Sequence, residues 1–386
     1  MRIVLFDFFF EPAKPGVTGL GDLVWNWGGQ LTSLGDEVHI VAPYLAGVQP
    51  PKGTIVHRFE VPPAGYRNVL GHVLIALRGW IEIRKLRQVD IIHAPEYLST
   101  GVFSLLASRA PVVLTTPGNI FERIDNINHA DWFTTQVYKL AARVSARRCA
   151  AIIATSAEMK RWWLFSGARD RQITQIPLGV DVEVFRPMPD AATSVGFGKR
   201  PSILFVGRLQ AENGAEYLVR ALKSVVRSIP DAVLHIVGGG PDLDMLRGMV
   251  QELELVSHVQ WHGRVPLHRL PAFYSAADVF VLPRLSRVTP RVLFEAMACQ
   301  AAVVTSAIGG IEDFVADGHT GFLVEPRNPA AIADRIVQVL QDRMLAGRTG
   351  EAAREYACQE LSWPVVVRRM RDEVYVPITI QRLSGR

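Results

Sequence analysis

The feature that most constrains this chain is a set of short, unbroken apolar runs separated by segments with helical spacing. Ile3 to Phe10 is the first run, and Leu20, Leu23, Val24, Trp27, Leu31 and Leu34 follow at helical intervals before Gly35. Val38 to Val41, Ile91-Ile92-His93, Val112-Val113-Leu114 and Ile152-Ile153-Ala154 continue the series. A strand apolar on both faces needs a sheet covered on both faces, and strand–helix alternation makes such a sheet parallel. The pattern restarts at Ile203 to Val206 and runs on through Val233 to Val237, Val259 to Trp261, Val279 to Leu282 and Val303-Val304-Thr305. Between the two series, Phe185-Arg186-Pro187-Met188-Pro189 and the polar stretch to Lys199 read as a linker. The expected fold class is α/β, with two doubly wound parallel-sheet domains facing across a cleft. Residues 1–186 and 187–364 are the expected domains, and 365–386, helical from Val365 to about Tyr375, is expected to cross back to the first.

At 386 residues, 49% hydrophobic and 20% charged, the chain can bury two cores and is not a disordered protein. Its net charge of +5, from 42 basic and 37 acidic side chains, lacks the dense clustering of a nucleic-acid binder. Anionic small ligands or lipid surfaces fit better, and no nucleic-acid partner is expected. Cys149, Cys299 and Cys358 form no Cys-x-x-Cys spacing, which supports neither a disulfide framework nor a zinc site and suits a reducing cytoplasm. Asp7 interrupts the apolar opening and no small-residue cleavage site follows, so the opening reads as a buried strand rather than a signal peptide. No apolar stretch reaches membrane-span length, the nearest being Val69 to Leu77 with His72 inside it, so a cytoplasmic protein, soluble or peripheral on the inner membrane face, is expected. Two basic and aromatic sets leave two readings open. Arg78, Arg84, Lys85 and Arg87 surround Ile75, Leu77, Trp80 and Ile83, and Lys160-Arg161 precedes Trp162-Trp163-Leu164-Phe165. Either the first domain rests on anionic lipid, or these are core helices with solvated basic faces.

Open parallel sheets bind ligands at the carboxyl ends of their strands, so the segments just after each apolar run carry the candidate chemistry. Thr289-Pro290-Arg291-Val292-Leu293-Phe294-Glu295 reads as a helix start with Thr289 as N-cap and Pro290 as first helical residue. Amides of Arg291 and Val292 then suit a phosphate, and Glu295 suits ribose hydroxyls; the alternative is an ordinary capped helix with a surface Glu295. Gly207-Arg208 and Gly238-Gly239-Gly240-Pro241 follow two strands, offering close backbone approach and a guanidinium for a diphosphate. Gly19-Leu20-Gly21-Asp22-Leu23-Val24 keeps two glycines of a dinucleotide fingerprint but has Val24 at the third, after a loop too long for that turn. It reads as a substrate-contact element, not a nicotinamide site. His93, His129, His262 and His319 show no metal-ligand spacing, and no metal is expected.

These segments together resemble family 4 retaining glycosyltransferases, which have two Rossmann-like domains in the arrangement called GT-B. The resemblance runs from the first strand and the Gly19 loop through Ile176-Pro177-Leu178-Gly179-Val180-Asp181 to Leu361-Ser362-Trp363. Its strongest block is Thr289 through Glu295-Ala296-Met297-Ala298-Cys299, then Gly309-Gly310 and Gly318-His319-Thr320-Gly321-Phe322-Leu323-Val324. It implies sugar transfer from a nucleotide diphosphate donor with retained anomeric configuration and no metal or other cofactor. The acceptor would be a glycan, a lipid-linked molecule or a small molecule. Arg208 matches the arginine that holds the donor diphosphate, Glu295 matches the second glutamate of Glu-x7-Glu on the ribose, and Gly263-Arg264-Val265 matches the loop framing the nucleobase. The implied donor set is Gly207, Arg208, Asn213, Gly239, Arg264, Val265, Thr289, Pro290, Arg291, Val292, Leu293 and Glu295. Catalytic roles fall to Arg208, Arg287 and Glu295, and the acceptor side comprises Gly19, Leu20, Gly21, Asp22, Glu96, Pro117 and Gly118.

Three positions depart from the family pattern. Arg287 stands where the first glutamate of Glu-x7-Glu falls, Asn213 replaces a lysine before Gly214, and Pro117 replaces a histidine before Gly118. Two functions fit that mixture: an active transferase in which Arg287 or Arg291 replaces the lost charge, or a non-catalytic partner subunit that binds nucleotide or glycan. Arg287, flanked by Arg284 and Arg291, is expected to meet the diphosphate or a uronic acid carboxylate, or else to point to solvent or pair with Asp313.

Overall fold

The computed structural model of the chain describes residues 1–6, 21–43, 49–60, 69–95, 101–107, 110–116 and 132–384. The chain divides into two compact units, Met1–Leu178 with Trp363–Arg386, and Gly179–Ser362.

In the first unit the strands are β1 (Arg2–Phe6), β2 (Glu37–Pro43), β3 (Ile55–Phe59), β4 (Ile91–Ala94), β5 (Val112–Thr116), β6 (Ala151–Ala154) and β7 (Ile173–Gln175). They form one sheet in the order β3-β2-β1-β4-β5-β6-β7, and every pair is parallel. Leu23, Val24, Trp27 and Leu31 of the helix Gly21–Ser33 are buried, and Gly35 ends it at a φ of 85° that favours glycine. On the helix Val69–Lys85, Gly79 admits the ring of Phe6, because a Cβ there would lie 2.1 Å from it. Ile75 and Ile83 of that helix are core, as is Trp163 of the helix Ala157–Phe165. Leu74, Leu77 and Ile81 of the helix Val69–Lys85 are exposed beside Arg78, Arg84 and Lys85.

The second unit holds β8 (Ser202–Val206), β9 (Val233–Val237), β10 (Val259–Gly263), β11 (Val279–Leu282), β12 (Val303–Ser306) and β13 (Phe322–Val324). Their order is β10-β9-β8-β11-β12-β13, again all parallel. In both units the strand that starts the series has its second strand on one side and its fourth on the other. This is the doubly wound order, and its direction reverses beside the first strand. The helix Ala215–Ser228 covers the second sheet with Leu218, Val219, Leu222 and Val225.

Two expectations need correction. Phe185 to Lys199 is not a linker but part of the second unit, so the boundary precedes Gly179 rather than lying at 186/187. Phe185 is buried edge-on to Tyr274 with ring centres 6.2 Å apart, and Phe197 stacks on His235 at 3.6 Å. These two aromatic side chains bring a Pro-rich, small-residue stretch into a core. The final helical stretch is also longer than Val365 to Tyr375. It begins at Trp363–Arg369, passes through a wide-turn segment Met370–Tyr375, and continues as Val376–Ser384. All of it belongs to the first unit, where Arg371 pairs with Asp36 at 2.7 Å. The read extension of β1 to Phe10 lies outside the described residues.

Candidate active site

The second unit gathers the candidate donor residues at the carboxyl edge of its sheet. Gly207 and Arg208 follow β8, Gly238-Gly239-Gly240 follow β9, Arg264 follows β10, and Pro283-Arg284 follow β11. The first three loops are laced by backbone hydrogen bonds: Gly207 N to the Val237 carbonyl at 3.0 Å, Gly238 N to Gly263 at 2.7 Å, and Leu209 N to Gly239 at 3.1 Å. Two of the three glycines answer to that lacing. A Cβ on Gly238 would stand 1.9 Å from the Gly207 carbonyl oxygen, and one on Gly240 would stand 2.1 Å from that of Leu209. Gly239 instead faces the Arg264 side chain, with ordinary contact at 3.7 Å. Arg264 is exposed and Val265 half-buried.

The sheet places β8 next to β11, and that junction is the point where strand order reverses. Here the loops after the two strands are joined. Gly214, with φ at 72°, brings its α-carbon so close to Pro283 that a Cβ would lie 1.8 Å from the proline carbonyl oxygen. Leu285 N donates to the Glu212 carbonyl at 2.9 Å. Asn213 is buried and donates from Nδ2 to the Arg208 carbonyl at 2.7 Å, while its Oδ1 accepts from Arg284 Nη1. Arg284 Nε also donates to the Val288 carbonyl at 3.0 Å. Arg208 itself is exposed, and its guanidinium makes no hydrogen bond or ion pair among the described residues.

The helix after β11 runs over Arg291–Ala298, which shifts its expected start. Pro290 is the N-cap, with an extended ψ of 135°, and Thr289 lies outside the helix without capping it. Thr289 Oγ1 is buried without a partner among the described residues. The first-turn residues Arg291 and Val292 are half-buried and Leu293 is buried. Glu295 is 1% exposed, on the inward side of this helix, and its Oε2 accepts from Tyr274 Oη at 3.0 Å. Burial and the nearby Glu295 charge push the Tyr274 hydroxyl well above its ordinary range, and the same causes raise the Cys299 thiol.

Arg287 is exposed, and its backbone seats Gly309, where a Cβ would meet the Arg287 carbonyl oxygen at 2.5 Å. Gly318-His319-Thr320-Gly321 is a turn that launches β13: Gly318 N donates to the Gly321 carbonyl at 2.8 Å and Ala316 N to Thr320 Oγ1 at 2.9 Å. Of the acceptor-side residues, Gly19, Leu20, Glu96, Pro117 and Gly118 lie outside the described residues, and Gly21 and Asp22 are described only as the first residues of the helix Gly21–Ser33. Sequence reasoning missed Tyr274, the partner of Glu295, and gave Arg284 no role beyond flanking Arg287.

The two all-parallel, doubly wound sheets are those of the GT-B glycosyltransferase fold. Residues 191–356 match the profile of the glycosyl transferases group 1 and residues 17–184 that of glycosyltransferase family 4. The chain belongs to this family of two-domain glycosyltransferases. It is 27% identical over 383 residues to a GDP-mannose-dependent alpha-(1-6)-phosphatidylinositol monomannoside mannosyltransferase of Mycobacterium tuberculosis, covering 96% of this chain and 97% of that one. It is also 27% identical to a D-inositol 3-phosphate glycosyltransferase of Corynebacterium aurimucosum, covering 96% and 95%. Among solved structures, sucrose-phosphate synthase from Thermosynechococcus elongatus superposes over 100% of both chains, with TM-score 0.83 and 22% identity. HepE of Anabaena, solved in complex with UDP, covers 97% of this chain and 100% of its own, with TM-score 0.76 and 19% identity. The chain is a nucleotide-sugar-dependent transferase, and the catalytic reading stands over the partner-subunit alternative.

Proposed function

We propose that the second unit binds a nucleoside diphosphate hexose, and that the enzyme transfers the hexose with retained anomeric configuration to a lipid-linked, glycan or polyol acceptor held by the first unit. The observation that carries this reading is the junction of the β8 and β11 loops, where Arg208 and Arg284 meet around Asn213 at the sheet's switch point. Guanidinium groups suit a diphosphate leaving group, since they pair with phosphate oxygens through a planar fork and keep their charge at any working pH. In this reading arginines, not a metal, offset the charge that develops as the glycosidic bond breaks. Arg264 and Val265 would border the nucleobase, and Glu295 the ribose end. Glu295 then exchanges its bond from Tyr274 for one from a ribose hydroxyl.

The test is a thermal-shift screen of UDP-, GDP- and ADP-linked hexoses, followed by transfer assays with the donors that bind. A donor that binds the native chain raises its melting temperature by mass action. The absence of any shift at millimolar nucleotide sugar, with no donor hydrolysis, refutes the reading.

We further propose that the enzyme works in the cytoplasm, with its first unit resting on the inner face of an anionic membrane. Among the described residues no helix is long and apolar enough to cross a membrane. The exposed row Leu74, Leu77 and Ile81 of the helix Val69–Lys85 lies beside Arg78, Arg84 and Lys85, and Phe165, 89% exposed, ends a second helix. Apolar side chains with flanking cations are the composition that settles into an anionic lipid interface. The chain is expected to cosediment with phosphatidylglycerol vesicles at low salt and to be released at high salt. A double charge reversal, Arg78→Glu with Lys85→Glu, is expected to weaken that binding at least tenfold; undiminished binding refutes this surface.

A further inference from the structure

One stretch of the first unit carries more net charge than the whole chain. Residues 139–171 hold eight basic and two acidic side chains, a net charge of +6 where the full chain has +5. Both acids are paired, Glu158 with Arg161 at 2.6 Å and Asp170 with Lys160 at 2.8 Å. Arg143, Arg147, Arg148 and Arg171 are exposed and make no hydrogen bond or ion pair among the described residues. Like charges gathered on one surface repel, and an anion brought from outside offsets that repulsion.

The placement of these arginines points to the kind of anion. The helix Trp132–Arg148 turns Ala142 and Ala146 into the core and leaves Leu140, Arg143 and Arg147 on its outward face. At Gly167, with φ at 97°, a Cβ would lie 3.7 Å from Arg147 Nε, so this arginine lies against the turn that follows the helix Ala157–Phe165. Leu164 and Phe165, both exposed, end that helix. Ala142 and Ala146 share one hydrophobic cluster with Ile75 and Ile83 of the helix Val69–Lys85, with Met159 and Trp163, and with alternate residues of β1, β4, β5 and β6. Alternate residues of a strand face one side, so the three helices cover the same face of the first sheet. Their outward sides therefore belong to the same layer as the exposed Leu74, Leu77 and Ile81. Arginines alone would suit a nucleic acid or an acidic peptide equally well. Arginines interleaved with an exposed phenylalanine and leucines suit an anionic bilayer, whose phosphates meet the guanidinium forks while its hydrocarbon takes the apolar side chains.

Resting on the membrane reading above, we infer that the helices Trp132–Arg148 and Ala157–Phe165 form a second membrane contact of the first unit, separate from the row on the helix Val69–Lys85. Phe165 and Leu140 enter the headgroup boundary of an anionic bilayer, and Arg143 and Arg147 bind lipid phosphates. Two contacts in one layer of helices fix the tilt of the unit as well as its attachment, and the second engages at the high effective concentration set by the first.

The test is cosedimentation of the full chain, at low salt, with phosphatidylglycerol vesicles and with phosphatidylcholine vesicles. Arg143→Glu with Arg147→Glu is expected to weaken binding to phosphatidylglycerol about tenfold or more, and Phe165→Ser about fivefold or more. Combining the arginine pair with Arg78→Glu and Lys85→Glu is expected to cost more than either pair alone. All these side chains are exposed, so the variants should keep the melting temperature of the unaltered chain. A direct reading comes from Phe165→Cys in a Cys358→Ser background, labelled with an environment-sensitive fluorophore while Cys149 and Cys299 stay buried. Its emission is expected to shift to the blue on phosphatidylglycerol vesicles, and an unshifted label overturns the inference. Vesicle binding by the arginine pair and by Phe165→Ser at the level of the unaltered chain also overturns it, and leaves the membrane reading on the helix Val69–Lys85 intact. A loss in the arginine pair without one in Phe165→Ser marks a patch for nucleic acid or acidic peptide and overturns it too. If the unaltered chain binds no phosphatidylglycerol vesicles, the membrane reading falls and this inference falls with it.

Discussion

Arg208→Ala is expected to weaken nucleoside diphosphate binding by about 1.5–3 kcal/mol, roughly ten- to 150-fold, the scale of charge-assisted hydrogen bonds to phosphate. The size follows from the state of the side chain in the structure. Its guanidinium is exposed and makes no hydrogen bond or ion pair among the described residues, so the free protein loses little when it is removed. The loop is held by other means: its backbone accepts from Asn213 and is laced to the end of β9 and the segment after it. The variant should therefore melt within a degree or two of the unaltered chain while losing diphosphate affinity. Calorimetry with UDP and GDP reads the effect directly. Unchanged affinity would move the diphosphate away from the β8 loop.

The interior strands and the glycine loops were legible in the sequence because their causes are local. β8, β9 and β11 are buried along their whole length, and each is an unbroken apolar run or nearly so. The strands that were not read, β3, β7 and β13, lie at sheet edges. An edge strand is covered less completely, so His57 and Arg58 can interrupt β3 and Ile55 can stand exposed without cost to the sheet. Glycines at 207, 238 and 240 could be read as permitting close approach, although at 238 and 240 what approaches is other backbone, and at 207 the nearest neighbour is the Phe205 ring at ordinary contact. Asn213 and Arg284 were not legible as a pair. Their contact joins positions 71 residues apart and exists only because β8 and β11 are neighbours. Composition likewise misled at Phe185 to Lys199, where prolines and small residues suggest a linker but two phenylalanines decide the packing. The cap expected at Thr289 is displaced by one residue: the helix takes Pro290 as its N-cap and starts at Arg291.

The first unit is expected to lose stability steeply as the pH falls below about 6.5, with His93 as a principal cause. His93 lies on β4, fully buried, stacked on Trp27 with ring centres 4.6 Å apart. Its ring nitrogens share hydrogen bonds with Tyr375 Oη at 2.5 Å and Thr115 Oγ1 at 2.7 Å. The imidazole thus joins the closing helical segment of the chain to the sheet of the first unit. Burial holds it neutral and pushes its pKa down to about 3. In the unfolded chain the same side chain takes up a proton near pH 6.5. Between those values the unfolded state binds a proton that the native state refuses, so unfolding becomes easier by about 1.4 kcal/mol for each pH unit of descent. From pH 6.5 to 5 that is about 2 kcal/mol, a large share of the roughly 5–15 kcal/mol typical of a folded domain. His57 of the first unit is also lowered by burial and adds a loss of the same sign, while His235 and His262 are lowered in the second unit. They persist when His93 is replaced, as do the carboxylates, so a variant isolates the one ring. His93→Gln is expected to be less stable than the unaltered chain at pH 7.5, because it gives up the stack on Trp27. The gap should narrow by about 2 kcal/mol at pH 5, since the glutamine takes up no proton in either state. Urea unfolding of both proteins at the two pH values measures that difference. If the two lose stability in parallel, protonation of His93 is not what makes the first unit acid-labile, and the burial of this imidazole carries no cost that pH can reveal.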